Sequence, residues 1–198
     1  IQVLRAHGDL DAATVAFIDA VGSDTIDLAA ASRPIAETSS IPITNMSAPI
    51  QAAFKRGKEI YERDGYCATC HGEDGKGAVA GVYPPLVESE WIDGDDDLLI
   101  KIILKGMWGT ISVNGVEYDP KKGVPPMTPF EGMLNDQEIA DVSTYVRVAF
   151  RGRKINAVLS TPENVAELRA ATKDQKTFYT PEQLIEQHPD LAARAAKK

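Results

Sequence analysis

Two cysteines and a histidine stand together in the segment Cys67-Ala68-Thr69-Cys70-His71, and these are the chain's only cysteines. Two residues between the thiols close too small a loop for a disulfide to add much stability. The spacing C-x-x-C-H is instead that of c-type haem attachment. Two thiols on one side of a tight turn can form thioethers to one porphyrin, and the adjacent histidine then lies beneath the iron. The motif therefore predicts a covalently bound haem c with His71 as the proximal iron ligand.

Two other chemistries use the same residue types. A closed zinc site needs a fourth ligand, and the other histidines, His7 and His188, are far away in the sequence. A thioredoxin-like thiol pair is expected within a βαβ unit, whereas a helix is predicted directly before Cys67. Zinc binding and thiol redox chemistry stay open as alternatives to haem.

A six-coordinate haem iron needs a second axial ligand, and the methionines are candidates for it. Met127 lies in the segment 123–130, where three prolines fix φ and remove backbone donors. A stiff loop of this kind can present a thioether to a metal. Met107 is the rival candidate, with Met46 and the two distant histidines behind it. Met133 is interpreted as a core residue, which is the usual role of methionine.

Helical periodicity predicts the elements that position these residues. A helix is predicted over residues 49–64, with Ile50, Phe54, Gly57 and Tyr61 on its buried stripe. A glycine in a helix costs about 1 kcal/mol against alanine, so Gly57 indicates the close approach of another helix. An Asn-Gly pair within residues 111–118 predicts a small β-hairpin. Further helices are predicted at residues 9–21, 25–31, 97–105, 136–150, 164–171 and 182–196.

Composition limits the kind of partner. The chain has 198 residues and a net charge of -8, which argues against nonspecific nucleic-acid binding and fits a partner with a basic patch. Acidity that only keeps the protein soluble explains the charge equally well. No apolar run approaches the roughly 20 residues that span a bilayer, so no direct membrane span is expected. No signal-peptide pattern opens at Ile1, so we expect a removed signal or a fragment of a longer protein.

From Ser47 to Gly152 the sequence resembles the class I cytochromes c. Gly57 and Tyr61 resemble the glycine and aromatic residue of that family's N-terminal helix, and residues 134–147 resemble its C-terminal helix. The resemblance implies a mostly α fold, in which these two helices cross around a covalent haem. A small hairpin and helical extensions would be added to it.

The resemblance also implies a ligand set. Pro84-Pro85-Leu86 is similar to the segment whose proline carbonyl accepts a hydrogen bond from the proximal histidine; Pro84 aligns best, with Pro85 as the alternative. Residues 126–130 resemble the segment that supplies the axial methionine, although Thr128 and Pro129 depart from the common M-P-x-F form. The resemblance thus implies that His71 and Met127 are the two axial ligands of the haem iron. Trp91 and Trp108 are candidates to hydrogen-bond a haem propionate, unless they only pack.

The resemblance divides the chain into three segments. Residues 1–46 form an N-terminal helical segment and linker, residues 47–152 the cytochrome c domain, and residues 153–198 a C-terminal helical extension. The region 106–118 is similar to cytochrome domains that accompany oxidoreductases, sometimes as fused C-terminal domains. The implied function is electron relay between a redox partner, or a fused dehydrogenase-type domain, and an acceptor. The implied location is the periplasm or another extracytoplasmic compartment, and the domain itself is not an enzyme.

Three further interpretations stay open at this point. A haem peroxidase or gas-handling site would need an open distal side and usually a distal acid–base residue. A sensor module would use the terminal segments to read the state of the haem. The acidic run Asp93–Asp97 could bind calcium, but acids before a helix are normally caps, and no EF-hand pattern follows.

Overall fold

A computed structural model of the chain describes residues 46–151 and 160–195. The helices predicted at residues 9–21 and 25–31 lie outside these residues. The division at residues 46 and 152 therefore stays a prediction. The described helices and strands are α1 (Ala48–Tyr61), α2 (Cys67–His71), α3 (Asp96–Lys105), β1 (Ile111–Val113), β2 (Val116–Tyr118), a 3-10 helix (Pro120–Lys122), α4 (Asp136–Phe150), α5 (Pro162–Ala171), α6 (Pro181–Gln187) and α7 (Asp190–Ala195).

The crossing of α1 and α4 organises the main core. At Gly57 the two backbones approach so closely that a Cβ would overlap the carbonyl oxygen of Asp141 and lie 2.7 Å from Tyr145 Cβ. This confirms the helix contact that the glycine predicts. On the rim of the same crossing, the Arg56 guanidinium donates to both carboxylate oxygens of Asp141, at 2.6 and 2.7 Å. Geometry and charge therefore fix one register for the two helices.

Aromatic side chains fill the space beside this crossing. The ring of Tyr61 lies 5.1 Å from that of Tyr145 and 5.3 Å from that of Phe150, centroid to centroid. Phe54 adds a fourth ring, 4.9 Å from Tyr145. Tilted pairs at these distances add stability beyond the burial of their area. Burial raises the pKa of Tyr145 to about 12, so its ring is neutral in the core at ordinary pH.

Local signals define both α3 and α4. Asp95 Oδ1 accepts from Leu98 N at 2.9 Å and caps α3. Asn135 and Glu138 form the reciprocal capping box that starts α4. Of the other acids in the run, Asp96 pairs with Arg147 and Asp93 pairs with Arg151. Asp95 is thus a cap, as the capping interpretation predicts, and Asp93 and Asp96 form ion pairs with arginines.

A second core lies under the β-hairpin. The strands pair antiparallel with Ile111 opposite Tyr118, and both turn residues have positive φ, 52° at Asn114 and 78° at Gly115. The predicted hairpin is therefore confirmed. Its buried side chains pack with residues of α3 and of the C-terminal helices, and the cluster comprises Trp91, Leu98, Ile102, Ile111, Val113, Tyr118, Tyr179, Leu184 and Leu191.

Two details differ from the sequence prediction. The single helix predicted over residues 182–196 is wrong, because the chain breaks between α6 and α7 at His188 (φ −132°, ψ 69°). Pro189 explains the break, since proline disfavours helical backbone in the residue before it and cannot donate its own hydrogen bond. Met133, predicted to be a core residue, is 48% exposed, and the adjacent Leu134 is buried in its place.

Across the described residues, no helix combines the length and the apolar character needed to cross a membrane.

Replacing Gly57 by alanine tests the helix crossing. Alanine favours an isolated helix by about 1 kcal/mol, but its Cβ meets backbone that cannot move without separating α1 from α4. We expect a net loss of about 1–3 kcal/mol in the free energy of unfolding, the usual cost of overpacking, measured by urea titration. Gly132→Ala is the control, since nothing lies within 4 Å of a Cβ there. Equal effects of the two substitutions would contradict the crossing.

Candidate functional site

One apolar cavity lies between the C-x-x-C-H turn and the Met127 loop. It encloses about 1260 Å³ with its open mouth included. Apolar side chains of α3, the hairpin and α4 line part of it, among them Leu99, Ile102, Ile103, Val113, Val142 and Val146, and loop residues line most of the rest. The cavity therefore joins the two cores, and it suits a large, mostly apolar ligand.

The C-x-x-C-H motif forms the single helical turn α2 on one wall of this cavity. Cys67, Cys70 and His71 all line the cavity, and both thiols are free and half-buried. Beyond the turn, the buried hydroxyl of Tyr61 donates to Gly72 O at 2.7 Å. The aromatic cluster of the main core thus holds the end of the attachment turn.

The His71 ring is oriented by one hydrogen bond. Its Nδ1 lies 2.9 Å from Pro84 O, the carbonyl that the sequence favours over that of Pro85. Because a carbonyl only accepts, Nδ1 carries the proton and Nε2 keeps a free lone pair. Burial lowers the pKa of His71, and the bond to Pro84 O opposes this only in part. The ring is therefore neutral at neutral pH, which is the form that binds a metal.

Met127 lines the same cavity from a loop on the surface. Its neighbours Pro125, Pro126 and Thr128 are exposed, whereas Met127 itself is half-buried. Its N–H donates to Met107 O at 2.9 Å, and Phe130 N donates to Ile103 O at 2.9 Å. The backbone of the loop is thus fixed at two points.

The other candidate ligands lie differently. Met107 also lines the cavity. His188 does not, because its Nδ1 lies 3.0 Å from Asp95 Oδ2 and its Nε2 lies 3.0 Å from Lys101 Nζ. Met46 and Met133 are absent from the lining, and His7 lies outside the described residues.

The two tryptophans differ in what they can offer. Trp91 is buried and lines the cavity, but its single indole N–H donates to Ser112 O at 2.9 Å. This bond occupies the only indole proton, so the structure favours a packing role for Trp91 in the wall. Trp108 is 54% exposed at the cavity, and its indole N–H has no partner among the described residues.

The alternatives to haem find little support in this geometry. Within residues 46–151 and 160–195, no group of three or more His, Cys, Asp or Glu side chains could hold a metal ion. Burial raises the pKa of the Cys67 thiol to about 12. A thiol-exchange site needs the thiolate, so the structure does not favour that chemistry either.

The residues present fit a haem c. Two free thiols and an imidazole nitrogen with an unused lone pair share one wall, a thioether lies on another part of it, and most other wall residues are apolar. This combination is what covalent attachment through cysteine and axial binding through histidine and methionine require.

Comparisons with known proteins agree with this fit. The cytochrome c family model matches residues 54–149. Cytochrome c-552 of Thermus thermophilus is 32% identical over 144 residues, which cover 70% of this chain and 98% of that protein. A second cytochrome c-552 of the same species matches at the same identity over 86% of its length. The CcoP subunit of a cbb3-type cytochrome c oxidase from Azospirillum brasilense is 38% identical over 65 residues, which cover 30% of this chain and 21% of that subunit.

The chain therefore belongs to the cytochrome c family, with the mostly α class I fold, and it transfers electrons through a covalently attached haem c.

Two hydrogen bonds of the site were not found by sequence reasoning. A buried tyrosine or tryptophan needs a partner for its polar atom, so Tyr61 and Trp91 each signal that a partner exists. Neither signal names the acceptor. Gly72 O and Ser112 O are backbone atoms, and only the folded chain brings them into reach.

Tyr61→Phe tests the link between the aromatic cluster and the attachment turn. The substitution keeps the ring and removes only the donor to Gly72 O. We expect the free energy of unfolding to fall by about 1 kcal/mol, the net value of one such bond, in urea titrations of the haem-loaded protein. Tyr118→Phe is the matched control, because that tyrosine is also buried but its hydroxyl has no partner among the described residues. Identical stabilities for Tyr61→Phe and the parent would show that the bond contributes nothing.

Proposed function

We propose that Cys67 and Cys70 form the two thioethers, that His71 is the proximal ligand and that Met127 is the distal ligand. When bound, haem c supplies an iron that takes up and gives back one electron. The observation that carries the assignment is the pairing of His71 Nδ1 with Pro84 O, which leaves Nε2 as the ring's only lone pair for a metal.

The packing of the two rival methionines supports Met127. Met127 packs against the main core, as Cys67 of the attachment turn also does. Met107 packs only against the second core, beneath the hairpin. Met127 therefore shares a core with the attachment turn, whereas Met107 does not.

The rest of the cavity wall defines the environment of the iron. Its apolar side chains exclude water and disfavour the additional positive charge of the ferric state. Methionine as the second axial ligand acts in the same direction, so we expect a comparatively high reduction potential. Trp108 has a free indole N–H and is the tryptophan suited to hydrogen-bond a haem propionate. The indole N–H of Trp91, the other candidate from the sequence, is already bonded to Ser112 O.

The protein acts as an electron relay between an oxidoreductase partner, or a fused dehydrogenase-type domain, and an acceptor. The net charge of -8 suits partners with a basic face. The similarity of a short stretch to CcoP, a subunit of a cytochrome c oxidase, supports a role near a terminal acceptor. The compartment is the periplasm or another extracytoplasmic space, where haem c is attached in bacterial members of the family.

Visible spectra of the haem-loaded protein test the ligand assignment. In the parent we expect sharp ferrous haem c bands and the weak ferric sulfur-to-iron band. Met127→Ala should lose that band and bind carbon monoxide in the ferrous state, because its sixth position is open. Met107→Ala and the exposed Met133→Ala are matched controls that should keep the band.

Two other results would contradict the assignment of Met127 as the distal ligand. If the band survives in Met127→Ala and disappears in Met107→Ala, Met107 is the axial ligand. If the parent itself binds carbon monoxide readily at neutral pH, its sixth position is open and the proposed electron relay is wrong.

A further inference from the structure

The backbone of Met127 belongs to an arrangement of three neighbouring segments. Met127 N donates to Met107 O at 2.9 Å, in an antiparallel bridge. Met107 also forms a parallel bridge with Tyr179, where Trp108 N donates to Tyr179 O at 2.9 Å and Tyr179 N donates to Gly106 O at 3.2 Å. The segment 106–108 is therefore bonded both to the Met127 loop and to the C-terminal part of the chain.

Close packing leaves this arrangement little room to shift. Gly106 has a positive φ of 68°, and a Cβ there would overlap Met127 O and lie 2.9 Å from Phe178 Cδ1. At Gly109 a Cβ would lie 2.9 Å from Pro181 Cγ. Residues 177–181, which we call the clasp, thus pack closely against residues 106–109 at both ends of that stretch.

The clasp is itself firmly anchored. Tyr179 is 4% exposed, and Leu184 of the following helix is fully buried in the second core. Thr180 and Gln183 form a reciprocal capping box that starts α6. Met127 packs against this same second core, so the anchor of the clasp and the methionine share one packing unit.

We propose that the clasp positions Met127 for binding to the iron, an inference that rests on the assignment of Met127 as the distal ligand. The Met127 loop needs such support because three prolines remove backbone donors from it. Its N–H at Met127 is bonded to Met107 O, and the clasp fixes the segment that carries this acceptor. Phe178 and Tyr179 are positioning residues, since they act through the Gly106–Trp108 segment.

Two substitutions loosen the clasp in the full-length, haem-loaded protein. Gly109→Ala pushes against Pro181, and Gly115→Ala is its control, since Gly115 also has a positive φ but has nothing within 4 Å of a Cβ. Phe178→Ala removes the contact with Gly106 at a half-buried position outside the cavity, and Phe178→Leu is the variant expected to restore it.

The readouts report the methionine–iron bond rather than overall stability. The first readout is the ferric sulfur-to-iron band during a titration to alkaline pH. In both loosened variants we expect the midpoint at which the band is lost to lie at a lower pH than in the parent, because Met127 detaches more readily. The second readout is the affinity of the ferrous protein for carbon monoxide. We expect the fraction of molecules with Met127 detached to rise roughly tenfold in both variants, and the apparent affinity then rises by the same factor. Gly115→Ala and Phe178→Leu should behave like the parent.

Two different failures can be told apart. Gly109→Ala and Phe178→Ala could lower the free energy of unfolding and still match Gly115→Ala in the band, in its alkaline midpoint and in the affinity for carbon monoxide. In that case the clasp is only structural, and this inference is overturned. If the band in the parent does not depend on Met127 at all, the ligand assignment fails first and the clasp inference fails with it.

Discussion

The close approach of α1 and α4 at Gly57 is the constraint on which the rest of the fold depends. Without a side chain at this position, the carbonyl of Asp141 and the ring of Tyr145 come directly against α1. The crossing places Tyr61 in the aromatic cluster, and the Tyr61 hydroxyl reaches Gly72 O at the end of α2. The turn that carries the two cysteines therefore takes its position from a backbone contact in the core.

The polar atoms of the cavity wall follow a second constraint. A polar group without a partner is costly in apolar surroundings, so Nδ1 of His71 and Nε1 of Trp91 are each paired with a backbone carbonyl. Pairing one ring nitrogen of His71 also fixes the tautomer, and it leaves the other nitrogen available for a metal. The same bond thus satisfies a buried donor and prepares a ligand.

Much of the fold could be predicted from the sequence because its signals are local. The stripe around Gly57, the Asn114-Gly115 turn and the capping residue Asn135 each lie within a few residues of the element they define. Pro189 is also a local signal, and it ends the helix that the apolar periodicity of residues 182–196 alone would continue. Met133 was misplaced for a different reason, since apolar character does not show which of two neighbouring side chains faces the core.

The candidate site was predictable only in part. The spacing of Cys67, Cys70 and His71 carries its own chemistry, and these residues do line one cavity with Met127. The acceptor of Trp91 and the double bridge of Met107 could not be predicted. Isolated bridges join single residues far apart in the chain, and they leave no periodic pattern to detect.

The prolines around Met127 are a local feature of the sequence, but their structural consequence involves residues far away in the chain. Proline stiffens a loop but removes N–H donors, so a stiff loop cannot hold itself against the rest of the fold. A metal ligand has to be held within a fraction of an ångström, and packing and hydrogen bonds around it must supply that precision. Here the N–H that Met127 keeps is bonded to Met107 O, and the Met107 segment is bonded in turn to Tyr179. A loop rich in proline thus depends on bonds and packing from other segments, and the bridge between Met107 and Tyr179 connects it to the C-terminal part of the chain.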